Sequence, residues 1–166
     1  IKNFKLNKIL LFAPLMTLMF CFNSAKNEDE KMQTIMVSVK NTLSYLHYSP
    51  KPINDAFSLD VYHKYFESID ASKRFFLQSD MDEFDKHKTK LDDYLNNGNL
   101  IFYKTTVDRL YQRIDEADKI TQDILSKPIN LNEDDFLILE PKKKTNATNQ
   151  QEFSNEWKRF IKYNMN

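Results

Sequence analysis

Residues 100–126 read LIFYKTTVDRLYQRIDEADKITQDILS. Phe102, Tyr103, Val107, Leu110, Ile114, Ala117, Thr121, Ile124 and Leu125 recur at intervals of three and four, the period that gathers side chains on one face of an α-helix. Asn97-Gly98 stands before this run and Pro128 closes it. The spacing predicts one long amphipathic helix, and the chain on either side repeats the pattern. Upstream, Met81, Phe84, Leu91 and Leu95 form a stripe that starts at Ser79 as N-cap and stops at Gly98 in the left-handed C′ position. Before that, Phe57, Val61, Tyr65, Phe66 and Ile69 form another, over about 54–69. The first, over 27–48, carries Met32, Ile35, Met36, Val39, Leu43 and Leu46. Glu28, Asp29 and Glu30 complement the helix dipole in its first turn, and Ser49-Pro50-Lys51-Pro52 ends it.

The pattern changes after Pro128. Phe136-Leu137-Ile138-Leu139 reads as a short strand or a buried turn, and 141–150, with Lys142, Lys143 and Lys144, as a polar surface loop or linker. Asn146-Ala147-Thr148 fits a glycosylation acceptor, a triplet common by chance. A last helix from about Gln151 carries Phe153, Trp157, Phe160 and Ile161 on one side, a stripe expected to bury against following sequence and otherwise incompletely covered. The paired Phe75 and Phe76 are too apolar for a free loop and are expected to pack. Phe84, Leu91, Leu110 and Ile114 are expected to be buried. The fold class read from these segments is all-α, an irregular bundle of about five amphipathic helices.

Composition agrees. The chain has 166 residues and one glycine, Gly98. Phosphate loops, dinucleotide fingerprints and nucleophile elbows all need glycine where the backbone takes positive φ or closely approaches a ligand, so P-loop, Rossmann and α/β-hydrolase chemistry are excluded. Small β-barrels and sandwiches are disfavoured for the same reason. The 13 Phe and 8 Tyr supply large buried area for a core. Twenty-four basic against 24 acidic residues give no basic face for nucleic acid. The single cysteine excludes an internal disulfide.

Residues 1–25 read as an export signal. Lys2, Lys5 and Lys8 precede an apolar run over 9–22 that is interrupted by Pro14 and too short to span a membrane, and small residues follow it at Asn23-Ser24-Ala25. Cys21 is either one more apolar residue of that run or a lipid-attachment site with bulky Phe20 before it. Cleavage would remove three lysines, taking 24 basic residues to 21 against 24 acidic, a net charge of −3.

No catalytic constellation stands out. Asp82, Glu83 and Asp85, and likewise Asp92 and Asp93, are candidate paired acids, but they fall on polar helix faces and read as a solvated surface. His47, His63 and His87 are scattered without ligand spacing. Tyr65-Phe66, Phe75-Phe76 and Phe102-Tyr103 read as core. No catalytic, cofactor-binding or metal-binding residue is assigned.

One passage is more specific. HYSPKPINDAFS (47–58), YFESID (65–70) and KRFFLQSDMDEF (73–84), in that order and spacing, resemble the N-terminal domain of bacterial tail-specific proteases, the carboxy-terminal processing peptidases, over about 35–166. The resemblance implies a helical domain at 26–140 after a signal peptide at 1–25, a linker at 141–150, and a helix at 151–166 continuing into a PDZ domain and a serine protease core whose Ser–Lys dyad lies beyond Asn166. It implies an exported, periplasmic protein, membrane-anchored if the N-terminal segment is retained or Cys21 lipidated. It implies protein substrates with apolar C-terminal tails, an adaptor lipoprotein as a further partner, no cofactor, and a domain that helps enclose substrate without catalysing. The alternative from the residues alone is a stand-alone periplasmic helical binding or scaffold protein.

Overall fold

The computed structural model describes residues 28–131 and 136–165. The signal segment, Cys21 and Asn166 lie outside the described residues. Six α-helices follow in order: α1 (Glu28–Tyr45), α2 (Asp55–Ile69), α3 (Gln78–Phe84), α4 (Leu91–Asn97), α5 (Ile101–Leu125) and α6 (Gln150–Met165). Short 3-10 turns occupy Asp85–His87 and Pro141–Lys143. The expected all-α architecture is present, and no strand occurs among the described residues.

The chain divides into two units, one formed by α1 with residues 95–100 and the other by residues 51–94 with 101–165. In the first, Gly98 sits at φ 64°, and a Cβ there would lie 3.6 Å from Gln33, an ordinary contact. Its backbone conformation, not lack of space, is what calls for glycine. The apolar stripe on α1 has no buried member. Ile35 is 62% and Leu46 79% exposed, because a six-residue segment is too small to cover an 18-residue helix.

The second unit holds the core. Asn54 caps α2 by accepting the Phe57 N–H, and Phe66 on that helix meets the rings of Tyr62, Phe76, Phe84 and Phe102 at 4.8–6.1 Å. These rings, with Leu91, make the first cluster. Leu77, Ala117, Ala147 and Phe153, with Phe75 and Trp157 against them, make the second. Phe75-Phe76-Leu77 joins the two. In extended chain successive side chains point to opposite sides, and here Phe76 enters one cluster while Phe75 and Leu77 enter the other. The expectation that this pair packs is met.

Four expectations need correction. The segment expected as one helix from Ser79 is two, α3 ending at Phe84 and α4 starting at Leu91, with the 3-10 turn at Asp85–His87 and residues 88–90 between them. Residues 86–90 hold no apolar side chain to keep the stripe against the core. Ser58 of α2 instead sets the start of α4, its hydroxyl donating to Asp92 Oδ1 at 2.6 Å and accepting the Asp92 N–H at 2.8 Å. Second, Ile114 is 38% exposed. The buried line on α5 is Phe102, Thr106, Arg113 and Ala117, rotated from the apolar stripe because Arg113 turns inward to a buried carboxylate. Phe84 and Leu91 are buried as expected, and Leu110 packs half-buried against the first cluster. Third, Phe136 is 74% exposed and 136–139 forms neither strand nor buried turn; the Arg159 guanidinium lies 5.7 Å from the Phe136 ring. Fourth, α6 folds back on α5, with Phe153 at 1% exposure and Trp157, Phe160 and Ile161 half-buried. Its apolar stripe is satisfied largely within the unit.

Candidate interaction site

The loop after α2 is built around one carboxylate. Asp70 accepts the backbone N–H groups of Arg74, Phe75 and Phe76 at 2.7–3.0 Å. Lys73 takes φ 47° to let the chain double back, a conformation unusual for a side-chain-bearing residue. Burial pushes the Asp70 carboxyl above its ordinary range, against the three N–H bonds and Lys144, which pull it down.

A second buried carboxylate ties α3 to α5. Asp80 is fully buried. It accepts the Leu77 N–H at the start of α3, two bonds from the Arg113 guanidinium at 2.8 Å, and one from Arg109. Arg109 also pairs with Glu83 at 2.9 Å, and Arg113 with Glu116 at 2.7 Å. Burial raises the Asp80 carboxyl, but Arg113, the Leu77 N–H and Arg109 outweigh it and hold it below the usual carboxylate range.

The polar stretch at 141–150, expected at the surface, is tethered to this loop. The Gln78 N–H donates to Ala147 O at 2.8 Å, and Asn146 donates to Phe76 O at 2.9 Å. Lys73 Nζ donates to Lys144 O at 2.7 Å. Ala147 and Lys144 are buried. The Lys144 ammonium lies 3.0 Å from Glu156 Oε2, an ion pair without hydrogen-bond direction. The run of lysines misleads the sequence reading because it hides one buried lysine with a carboxylate partner.

Beside this junction, Arg74 lays its guanidinium carbon 3.5 Å from the Phe160 ring centroid and 6.0 Å from that of Trp157. Trp157 packs against Phe75 at 5.6 Å and Phe160 at 5.9 Å. Its indole Nε1 is buried without an acceptor.

On the other side of the loop a cavity of about 270 Å³ opens over Tyr62, Phe66, Phe76 and Met81, with His63, Glu67 and Lys73 at its edge. The Asp70, Lys73 and Asn146 groups beside it are already engaged within the loop, and the Tyr62 hydroxyl donates to Asp85 at 2.9 Å. The cavity can take an apolar side chain; Asp70, Lys73 and Asn146 in its lining are committed to holding the loop.

The residues singled out in the sequence are not brought into one site. Asp82 accepts from Gln78, Glu83 pairs with Arg109, and Asp85 pairs with Lys88. Asp92 departs from the expected solvated face, being buried on Ser58. His47 Nδ1 accepts the Ser49 N–H, His63 edges the cavity, and His87 bonds the Tyr94 hydroxyl at 2.8 Å. Burial holds the His87 imidazole below its ordinary range. Among the described residues no group of three His, Cys, Asp or Glu is placed to hold a metal ion. No helix among them is long and apolar enough to cross a membrane.

The chain is 29% identical over 143 residues to a tail-specific protease of Haemophilus influenzae, a match covering 83% of this chain and 20% of that protein. The chain thus spans about a fifth of the length of that relative. Residues 39–166 match the family model for the tail specific protease N-terminal domain, and the chain belongs to that family.

Proposed function

We propose that this domain serves an exported serine protease that processes proteins from their C-terminal tails, where it helps enclose substrate and docks partners. The family match across 39–166 carries the reading. The domain's own chemistry is compatible with a supporting role. Its buried carboxylates Asp70 and Asp80 are spent on backbone N–H groups and arginines, and accessible apolar surface includes the stripe on α1, residues 136–139 and the 270 Å³ cavity. Catalysis, in this reading, belongs to a Ser–Lys dyad in sequence beyond Asn166, after a PDZ domain, with residues 26–140 as the helical domain, 141–150 as linker and 151–166 leading onward. Export rests on Lys2, Lys5, Lys8 and the apolar run at 9–22. Partners are the PDZ and protease domains, tailed protein substrates and an adaptor lipoprotein.

The test is a pair of parent proteases, one intact and one lacking this domain, assayed on a short peptide and on a protein with an unstructured apolar tail. Loss of protein cleavage with peptide cleavage retained is expected. Equal cleavage of both substrates by both enzymes would refute a substrate-handling role. One observation favours a second reading, a self-sufficient binding protein: α6 docks on α5 within its own unit. A parent gene without downstream protease sequence would establish it.

A further inference from the structure

Helix α1 leaves open a face with a definite shape. None of its 18 residues is buried. Within its unit, residues 95–100 meet it on the side of Gln33 and Val37, where a Cβ on Gly98 would lie 3.6 Å from the first and 4.0 Å from the second. The side turned away from that contact carries a groove of about 320 Å³, lined by Thr34, Ile35, Ser38, Val39, Thr42 and Leu43. Two rows run through it with the i, i+4 period that forms oblique ridges on a helix surface. Ile35, Val39 and Leu43 make a branched ridge, each more than a third exposed. Thr34, Ser38 and Thr42 make the shorter row beside it. The Thr34 hydroxyl donates to Glu30 O at 2.7 Å and the Thr42 hydroxyl to Ser38 O at 2.9 Å. Both are spent on the helix's own carbonyls, so the groove calls for apolar contact.

A ridge beside a groove of the same period and inclination is self-complementary. Turned about a two-fold axis through the middle of α1, the ridge of one copy enters the groove of the other, and the reverse contact forms with it, as an isologous interface requires. Matching i±4 rows on both helices fixes a crossing near −50°, with axes about 8–10 Å apart. The helices then touch around Ser38 and Val39 and part toward both ends. Charge favours that parting. Glu28, Asp29 and Glu30 crowd the first turn. A parallel, in-register pair of helices would set the two acidic turns side by side, whereas the crossing keeps them apart.

We propose that α1 docks on α1 of a second copy of this chain, the Ile35–Val39–Leu43 ridge of each copy seated in the Thr34–Ser38–Thr42 groove of the other. The interface differs from the cavity over Phe66 and Phe76 and does not depend on the protease reading, since every residue in it belongs to this helix.

Sedimentation equilibrium of the full chain is expected to show a reversible monomer–dimer equilibrium. Val39→Glu puts a charge on the ridge and Ser38→Leu fills the groove, and each is expected to raise the dimer Kd at least about tenfold. Both positions are exposed in the single copy, so helix content by circular dichroism should match the parent. Phe136→Glu alters an exposed ring outside α1 and should leave the Kd unchanged. A chain still monomeric at about 1 mM would overturn the interface. So would a dimer indifferent to Val39→Glu and Ser38→Leu, or one abolished by Phe136→Glu. Cross-linking tests the geometry. With Cys21→Ser removing the native thiol, Ser38→Cys should oxidise to a disulfide-linked dimer, because Cα atoms at the crossing come within disulfide reach. Glu30→Cys and Leu46→Cys, alone or mixed, should not. No disulfide at 38, or linkage through 30 and 46 as efficient as at 38, would overturn the crossing of ridge into groove.

Discussion

Asp80 is the residue on which the second unit turns. A carboxylate with no exposure is tolerated because two guanidiniums and a backbone N–H surround it. Asp80→Asn leaves Arg113, itself nearly buried, with only the partly exposed Glu116 as counter-charge, and breaking such a buried pair costs about 3–5 kcal/mol. Chemical denaturation of the variant should show a loss of that size. The pH dependence has a definite sign. A carboxyl held below its unfolded value stabilises the fold above that value and loses this contribution as pH falls through the folded one. Asp80, Asp85 and Glu116 are all lowered, so stability should drop as pH falls below about 4. Asp70 is raised and acts in the opposite sense, favouring the folded state when protonated and opposing it as pH rises through its shifted range. The acid limb of a stability–pH curve should therefore flatten in Asp80→Asn. An unchanged acid limb would show that the network does not carry the titration. Gly98 is the second position where one residue decides the geometry. Gly98→Ala has room for its Cβ but must hold φ 64°, which costs about 1–2 kcal/mol. Thermal melting should show a modest loss with no change in fold.

At the scale of elements, stripes and stop signals made most helices legible. Gly98 after Asn97 and Pro128 beyond Leu125 mark ends that the structure reproduces within a residue or three, whereas Ser79, read as an N-cap, lies inside α3, which is capped at Leu77. The rotation of α5 was not legible. An arginine reads as surface, and nothing local says that Arg113 will face a buried aspartate 33 positions away. The break between α3 and α4 was hidden for the same reason, since the hydroxyl of Ser58 that organises Asp92 comes from α2. Docking of 144–149 rests on the Gln78 N–H bond to Ala147 O and on Asn146 and Lys73 side chains reaching carbonyls about 70 positions away, which local patterns do not encode. The corrected face of α5 makes a contrast that can be measured. Phe102→Ala should cost about 3–5 kcal/mol, while Ile114→Ala, expected from the stripe alone to be severe, should stay within about 1 kcal/mol, since its side chain is more than a third exposed. Reversed magnitudes would place the apolar stripe back in the core.

For the whole molecule, the sequence and structure agree on a helical domain whose conspicuous polar groups serve its own loops and helix contacts. An aromatic core and inward-turned arginines build the second unit, whereas α1 keeps an apolar face exposed. That division suits a module that supports a protease without performing its chemistry. The resemblance read over 35–166 and the family match over 39–166 coincide because the order HYSPKPINDAFS, YFESID, KRFFLQSDMDEF survives at the level of residues. No surface for a particular partner could be read from it, because contacts such as Arg74 on Phe160 and Phe75 on Trp157 form only when α6 packs beside the loop after α2. The most direct measurement is to incubate the purified chain with an unstructured protein ending in an apolar tail and to follow the substrate's intact mass. The substrate should remain uncut at its tail over the full incubation. Progressive shortening from the C-terminus, proportional to the amount of chain and persisting through further purification, would contradict a non-catalytic domain.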